Sequence, residues 1–299
     1  MRLRKPVVLS PGLLLGGLGV LLFSVSLPAT RAAVSGGIDP FLVGFGRAAV
    51  AGVLAIAWLR ISGAPRPRAE HRRSIAICAA GVVVGFPVLT SLALVSGTAV
   101  HAVVVIGILP AATAVFAVLR AGERPSALFW LAAGAGLAIV LAFAAARSGT
   151  GIGGGDMMLL LGVVLCGLGY AEGGALSRDL GGPATICRAL VLTLPLNVAA
   201  SALVVAIDGV PHADLGAWLG FAYVAIFSMF LGFFAWYAGL ARGGIAKIGQ
   251  VQLLQPLLSL GWAALLLGET VGAAEGVAAL AIIACVAVTQ SARVEARPA

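Results

Sequence analysis

Ionisable side chains and amides sit inside apolar stretches of this 299-residue chain, among them Arg47, His101, Glu172, Arg188 and Lys247, with Gln250, Gln252 and Gln255. Such groups are costly in an apolar surround and by default suggest function. A guanidinium keeps its charge and must find a carboxylate, a phosphate or carbonyl oxygens. A histidine titrates near neutrality and can carry a proton. An amide offers both a donor and acceptor sites. Together these types suit binding of a small polar molecule. They do not suit catalysis: no HExxH, no paired metal ligands, no Ser–His–Asp set and no GxxxxGK[ST] loop is written. The chain therefore reads as no enzyme, without cofactor or metal, and without its own ATP-driven step.

The elements that carry these residues are membrane helices. Charged residues make up 10% of the chain and hydrophobic ones 61%, with a mean hydropathy of +1.10. Soluble domains hold about 25% charged residues. Period-two alternation is absent, and apolar runs of about 20 residues predict transmembrane helices. Ten segments fit, at 9–29, 39–59, 74–94, 98–119, 126–146, 157–177, 184–206, 215–238, 245–267 and 271–291. Short loops take the rest. The opening MRLRK, an apolar run and PATRAA imitate a signal peptide. The run is too long for that, and a matching segment recurs later, so it reads as a retained helix.

The net charge of +8 sets orientation and does not point to nucleic acid. With the N-terminus cytoplasmic, fifteen of the nineteen Lys and Arg fall on the inner side and only Arg31 and Arg147 on the outer. Both termini are then cytoplasmic, the inner loops contact anionic lipid headgroups, and the protein is multi-pass in the cell (inner) membrane. The four cysteines, Cys78, Cys166, Cys187 and Cys285, lie within helices without a CxxC pair and read as small buried apolar groups.

The chain is written twice. An offset of 146 lays GTAVHAVVVIGILPAATAVFAVLRAGE on GGIAKIGQVQLLQPLLSLGWAALLLGE without a gap. Pro110 falls on Pro256, Glu123 on Glu269 and His101 on Lys247. An offset of 141 places Arg47 on Arg188. Two halves follow, 1–149 and 150–299, with five helices each. Five is odd, so the halves are inverted in the membrane, a transporter design in which a site lies between repeats.

The P-x(12)-E pairs, Pro110…Glu123 and Pro256…Glu269, resemble the drug/metabolite transporter superfamily, EamA type; the two arginines and the ten-helix layout add to the likeness. It covers nearly the whole chain. The resemblance implies a ten-helix bundle that moves small molecules across the inner membrane, often outward. It also implies a central cavity lined mainly by helices 1, 3, 4, 6, 8 and 9, with 5 and 10 peripheral and available for a homodimer.

Each polar residue then receives a reading. Glu172 and Arg188 lie eight residues either side of the loop near 180, at similar depth, and are expected to touch, as a structural pair or as a substrate or proton group. Arg47 has no matching acid and is either bound by carbonyls or phosphate, or faces the cavity as an anion site. His101 is a capping residue or a proton carrier; Lys247 snorkels to the inner surface. Gln250, Gln252 and Gln255 are interhelical ties or substrate contacts, with Gln255 foremost. Tyr170 is the preferred cavity aromatic, and Trp236 and Tyr237 belong to the pocket or to an interfacial belt. Pro110 and Pro256 loosen their helices. Glu123 and Glu269 are expected to stabilise the N-termini of the helices that directly follow them.

The leading expectation is a secondary transporter, an exporter of an amino-acid-like, anionic or zwitterionic metabolite or a drug, working by alternating access. The alternatives are a receptor or structural subunit without transport, and an exporter of organic cations that uses Glu172.

Overall fold

The computed structural model describes residues 10–96, 105–148, 154–267 and 273–295. His101 and Glu269 lie outside them. The described helices, in chain order, are α1 (Pro11–Ser35), α2 (Leu42–Ser62), α3 (His71–Val95), α4 (Leu109–Ala121), α5 (Ala127–Ser148), α6 (Gly154–Leu180), α7 (Gly182–Asp208), α8 (Leu215–Gly243), α9 (residues 245–267) and α10 (Ala273–Ser291). Six of them, α1, α2, α3, α6, α7 and α8, are long and apolar enough to cross a membrane. Shorter apolar helices lie in α4, α5 and α10.

Local chemistry sets the helix starts. Ser10 caps α1, its hydroxyl accepting from Leu13 N at 3.2 Å, with Pro11 in the first turn. Asp214 caps α8 by accepting from Ala217 N at 2.7 Å. Gly181 (φ +81°) and Gly244 (φ +87°) make the one-residue reversals between α6 and α7 and between α8 and α9, where an L side chain would be strained.

The packing repeats as the sequence does. α1 lies along α8, and the equivalent α6 lies along α3. α2 packs on α7, α4 on α9 and α5 on α10, each helix meeting its own counterpart. Glycines let backbones approach closely. A Cβ on Gly239 of α8 would lie 2.6 Å from Gly16 N of α1, and one on Gly81 of α3 would lie 2.2 Å from Leu165 O of α6.

Departures from α geometry also come in pairs. π-helical turns occupy Ala79–Gly85 in α3 and Val224–Leu231 in α8, equivalent places in the two halves. A third, Leu42–Gly46, opens α2. A turn at residues 107–108 precedes Pro110, and a 3₁₀ turn, Gln252–Leu254, precedes Pro256. The cause is the same in both: a proline has no N–H to give the carbonyl four residues back.

The all-helical expectation needs one addition. β1 (Arg124–Pro125) pairs antiparallel with β2 (Val294–Glu295), so the turn after α4 is tied to the chain after α10.

The glycine contacts carry an expected outcome. Gly239→Ala lowers the thermal unfolding midpoint in detergent. Gly134→Ala, with nothing within 4 Å of the added Cβ, leaves it unchanged or raises it.

Candidate functional site

α1, α2, α3, α4, α6, α8 and α9 enclose a cavity of about 40 Å³. It lies at mid-depth: Phe23 on its wall is twelve residues beyond Pro11, roughly 18 Å along α1 at 1.5 Å per residue. Apolar walls come from Phe23, Val82, Met229 and Phe233. Arg47, Thr90, Tyr170, Ser228, Gln252 and Gln255 are its principal polar residues.

Arg47 follows the π turn at the start of α2 and is only 5% exposed. Its Nε has no hydrogen-bond partner, and among the described residues no ion pair is made to it. Three more buried atoms on the same cavity lack partners: Thr90 Oγ1, Gln252 Oε1 and Gln255 Oε1. The amide nitrogens are already engaged. Gln252 Nε2 donates to Tyr170 Oη at 3.4 Å, and Gln255 Nε2 donates to the Phe23 carbonyl at 3.4 Å. Their oxygens therefore remain as acceptors. A cation and amide acceptors around one small space can hold a molecule with an anionic group and a donor.

The break in α9 is what brings both glutamines there. In an unbroken helix, residues three apart are about 300° apart in rotation. The 3₁₀ turn from Gln252 to Leu254 tightens that spacing, so residues three apart eclipse. Ile106, four residues before Pro110, lines the cavity as Gln252 does, four before Pro256.

Several expected site residues lie elsewhere. Gln250 turns from the cavity and donates to the Pro110 carbonyl at 3.0 Å, as an interhelical tie. Trp236 and Tyr237 are fully buried and belong neither to the cavity lining nor to a belt. They stand behind the wall, with Tyr170–Trp236 centroids 5.3 Å apart and Phe233–Tyr237 5.4 Å apart. Tyr237 Oη reaches the Gly169 carbonyl at 3.1 Å and Cys78 Sγ at 2.9 Å. Lys247 does not simply snorkel: its Nζ donates to the Gln290 carbonyl at 3.1 Å, and Gln290 Nε2 returns a bond to the Lys247 carbonyl at 2.7 Å.

The expected Glu172–Arg188 contact is not made. Glu172 pairs with Arg120 of α4. Arg188 donates to the carbonyls of Ala64 and Pro65 at 3.3 and 3.1 Å. The two side chains leave their helices toward different partners. Neither lines the cavity.

Glu123 also corrects an expectation. It does not cap α5, which follows it. Its Oε1 accepts from Ile245 N at 2.9 Å and its Oε2 from Ala246 N at 2.8 Å, at the start of α9 in the other half. Arg178 of α6 adds a 2.7 Å ion pair.

Thr90, Ser228, Phe23 and Phe233 carry no ionisable group and no unusual spacing. Only their place in the fold marks them as cavity residues. Ser228 also bonds Ser26 of α1 at 2.8 Å.

Two stretches, 10–145 and 153–290, match the EamA-like transporter family. The chain belongs to that family. A relative from Bacillus subtilis (strain 168), named "Uncharacterized transporter YdeK", is 49% identical over 272 residues, spanning 91% of this chain and 94% of its own. A solved structure, described only as the crystal structure of a protein, has a TM-score of 0.74 over 94% of this chain and 99% of its own. At 22% identity it speaks for the fold alone. This EamA-family chain is therefore a transporter of small molecules and a multi-pass membrane protein.

A double-mutant cycle on thermal stability checks the revised pairing. Glu172→Gln with Arg120→Gln is expected to show a coupling of about 0.5–3 kcal/mol, and Glu172→Gln with Arg188→Gln additivity within about 0.5 kcal/mol.

Proposed function

We propose that this EamA-family protein is a secondary transporter that exports an amino-acid-like, zwitterionic or anionic metabolite by alternating access. The observation that carries this reading is the convergence of an unpaired, buried Arg47 with three unpartnered acceptor or hydroxyl atoms on one cavity. An anionic group meets Arg47, and a donor such as an ammonium meets the oxygens of Gln252 and Gln255. Tyr170 and Phe233 flank the apolar remainder.

The layout proposed with it is ten crossings in two inverted five-helix repeats, 1–149 and 150–299, with both termini on the basic, cytoplasmic side. The self-equivalent packing of α2 on α7, α4 on α9 and α5 on α10 supports a pseudo-twofold relation. A cavity of about 40 Å³ holds about three waters, less than an amino acid occupies. On this reading the structure is a contracted form, and loading parts the helices around the cavity.

The organic-cation reading loses its support. It needs a carboxylate on the path, and Glu172 is already paired with Arg120 away from the cavity.

Counterflow of radiolabelled metabolites into proteoliposomes tests the proposal. A zwitterion or anion is expected to accumulate with the native protein. Arg47→Gln is expected to lose roughly 30-fold or more in apparent affinity, as when one side of a buried charge pair is removed. Uptake of only organic cations, undisturbed in Arg47→Gln, contradicts the reading.

A further inference from the structure

We propose that Glu123 is the latch of a gate, formed where α4 crosses α9, that shuts the cavity toward the basic end of the bundle. The inference rests on the transport reading, since a gate has meaning only for a carrier.

Between the cavity and that end the two helices run antiparallel and meet in successive rungs. Leu109 and Gln252 belong to the cavity wall. The next rung is the bond from Gln250 Nε2 to the Pro110 carbonyl, 3.0 Å. Below it Gly249 meets Thr113 so closely that an added Cβ would lie 3.1 Å from Thr113 Cγ2. The last rung is Glu123, with both carboxylate oxygens on the first amides of α9 and Arg178 on the first oxygen. One side chain thus ties α4, α6 and α9.

The other two rungs are a neutral bond and a van der Waals contact. Glu123 differs in kind. It is 2% exposed, so its charge is held by two N–H groups and one guanidinium in place of water. The amides it holds are among those a helix start leaves unpaired. Parting α4 from α9 at this end strips these partners at once, and the carboxylate is stable again only when water reaches it. The latch therefore favours two conditions, dry and shut or wet and open, over anything between. The α8–α9 turn is held in place from the far side by α1: a Cβ on Gly12 would lie 2.6 Å from Gly243 N.

Glu123→Gln keeps size and shape but brings an NH₂ group against amides or Arg178, donor against donor. The reporter is Thr113→Cys, fully buried in the middle rung. A membrane-impermeant maleimide is applied from the basic face of reconstituted protein. Protein without the reporter gives the background of the four native cysteines. Glu123→Gln is expected to raise the labelling rate of the reporter about tenfold. Arg178→Gln, which spares both amide bonds, is expected to raise it less. It carries the test should Glu123→Gln fail to fold. An unchanged rate in a folded variant overturns the proposal. So does an equal rise from the opposite face, which marks general loosening. Labelling needs no substrate, so a failed counterflow assay refutes the transport reading and leaves this result to be judged by itself.

Discussion

Inside a bilayer no water is available to complete a broken helix or solvate a charge, so each interruption must be turned toward protein or toward a cavity. That constraint arranges this molecule. Pro110 opens α4 just after a turn and Pro256 follows the 3₁₀ turn within α9, at equivalent points, and residues around both irregular turns line one cavity. The π turns of α3 and α8 contribute Val82, Ser228 and Met229 to the same space. Four irregular stretches, two from each half, meet where irregular backbone is tolerated.

The charges divide on the same principle. Toward the basic end, Glu123 and Glu172 each have an arginine partner from another helix, and Arg188 has carbonyls. These interactions fasten helix ends. At mid-depth Arg47 stands on the cavity without such a partner among the described residues. A paired buried charge mainly fixes geometry, whereas an unpaired one is a standing demand for a ligand. The proposed latch and the proposed anion site therefore have opposite electrostatics: one is completed by the protein, the other left for a substrate.

Much of this was legible in the residues. The 146-residue offset, the proline pair, Arg47, Tyr170, Gln252 and Gln255 could all be read from spacing and type. What could not be read was rotation about the helix axis. α6 and α7 are apolar almost all round, so no polar face tells which way Glu172 or Arg188 points. Counting residues from a loop gives depth, and depth alone made them partners. Trp236 and Tyr237 were misplaced for the same reason, since an aromatic in such a helix can face lipid, cavity or core. The reach of Glu123 to α9 was hidden differently. Its target amides lie 122 and 123 residues away, and backbone donors leave no mark in composition. The two-residue ladder of Arg124–Pro125 with Val294–Glu295 is too short to show any alternation.

A structure determined with a bound zwitterion, chosen as a compound that raises thermal stability, tests the proposed anchor most directly. The anionic group should lie within hydrogen-bond reach of the Arg47 guanidinium, with the donor end toward Gln252 Oε1 and Gln255 Oε1. A ligand bound in the bundle with its anionic group away from Arg47, or held instead by Glu172 and Arg188, would contradict it.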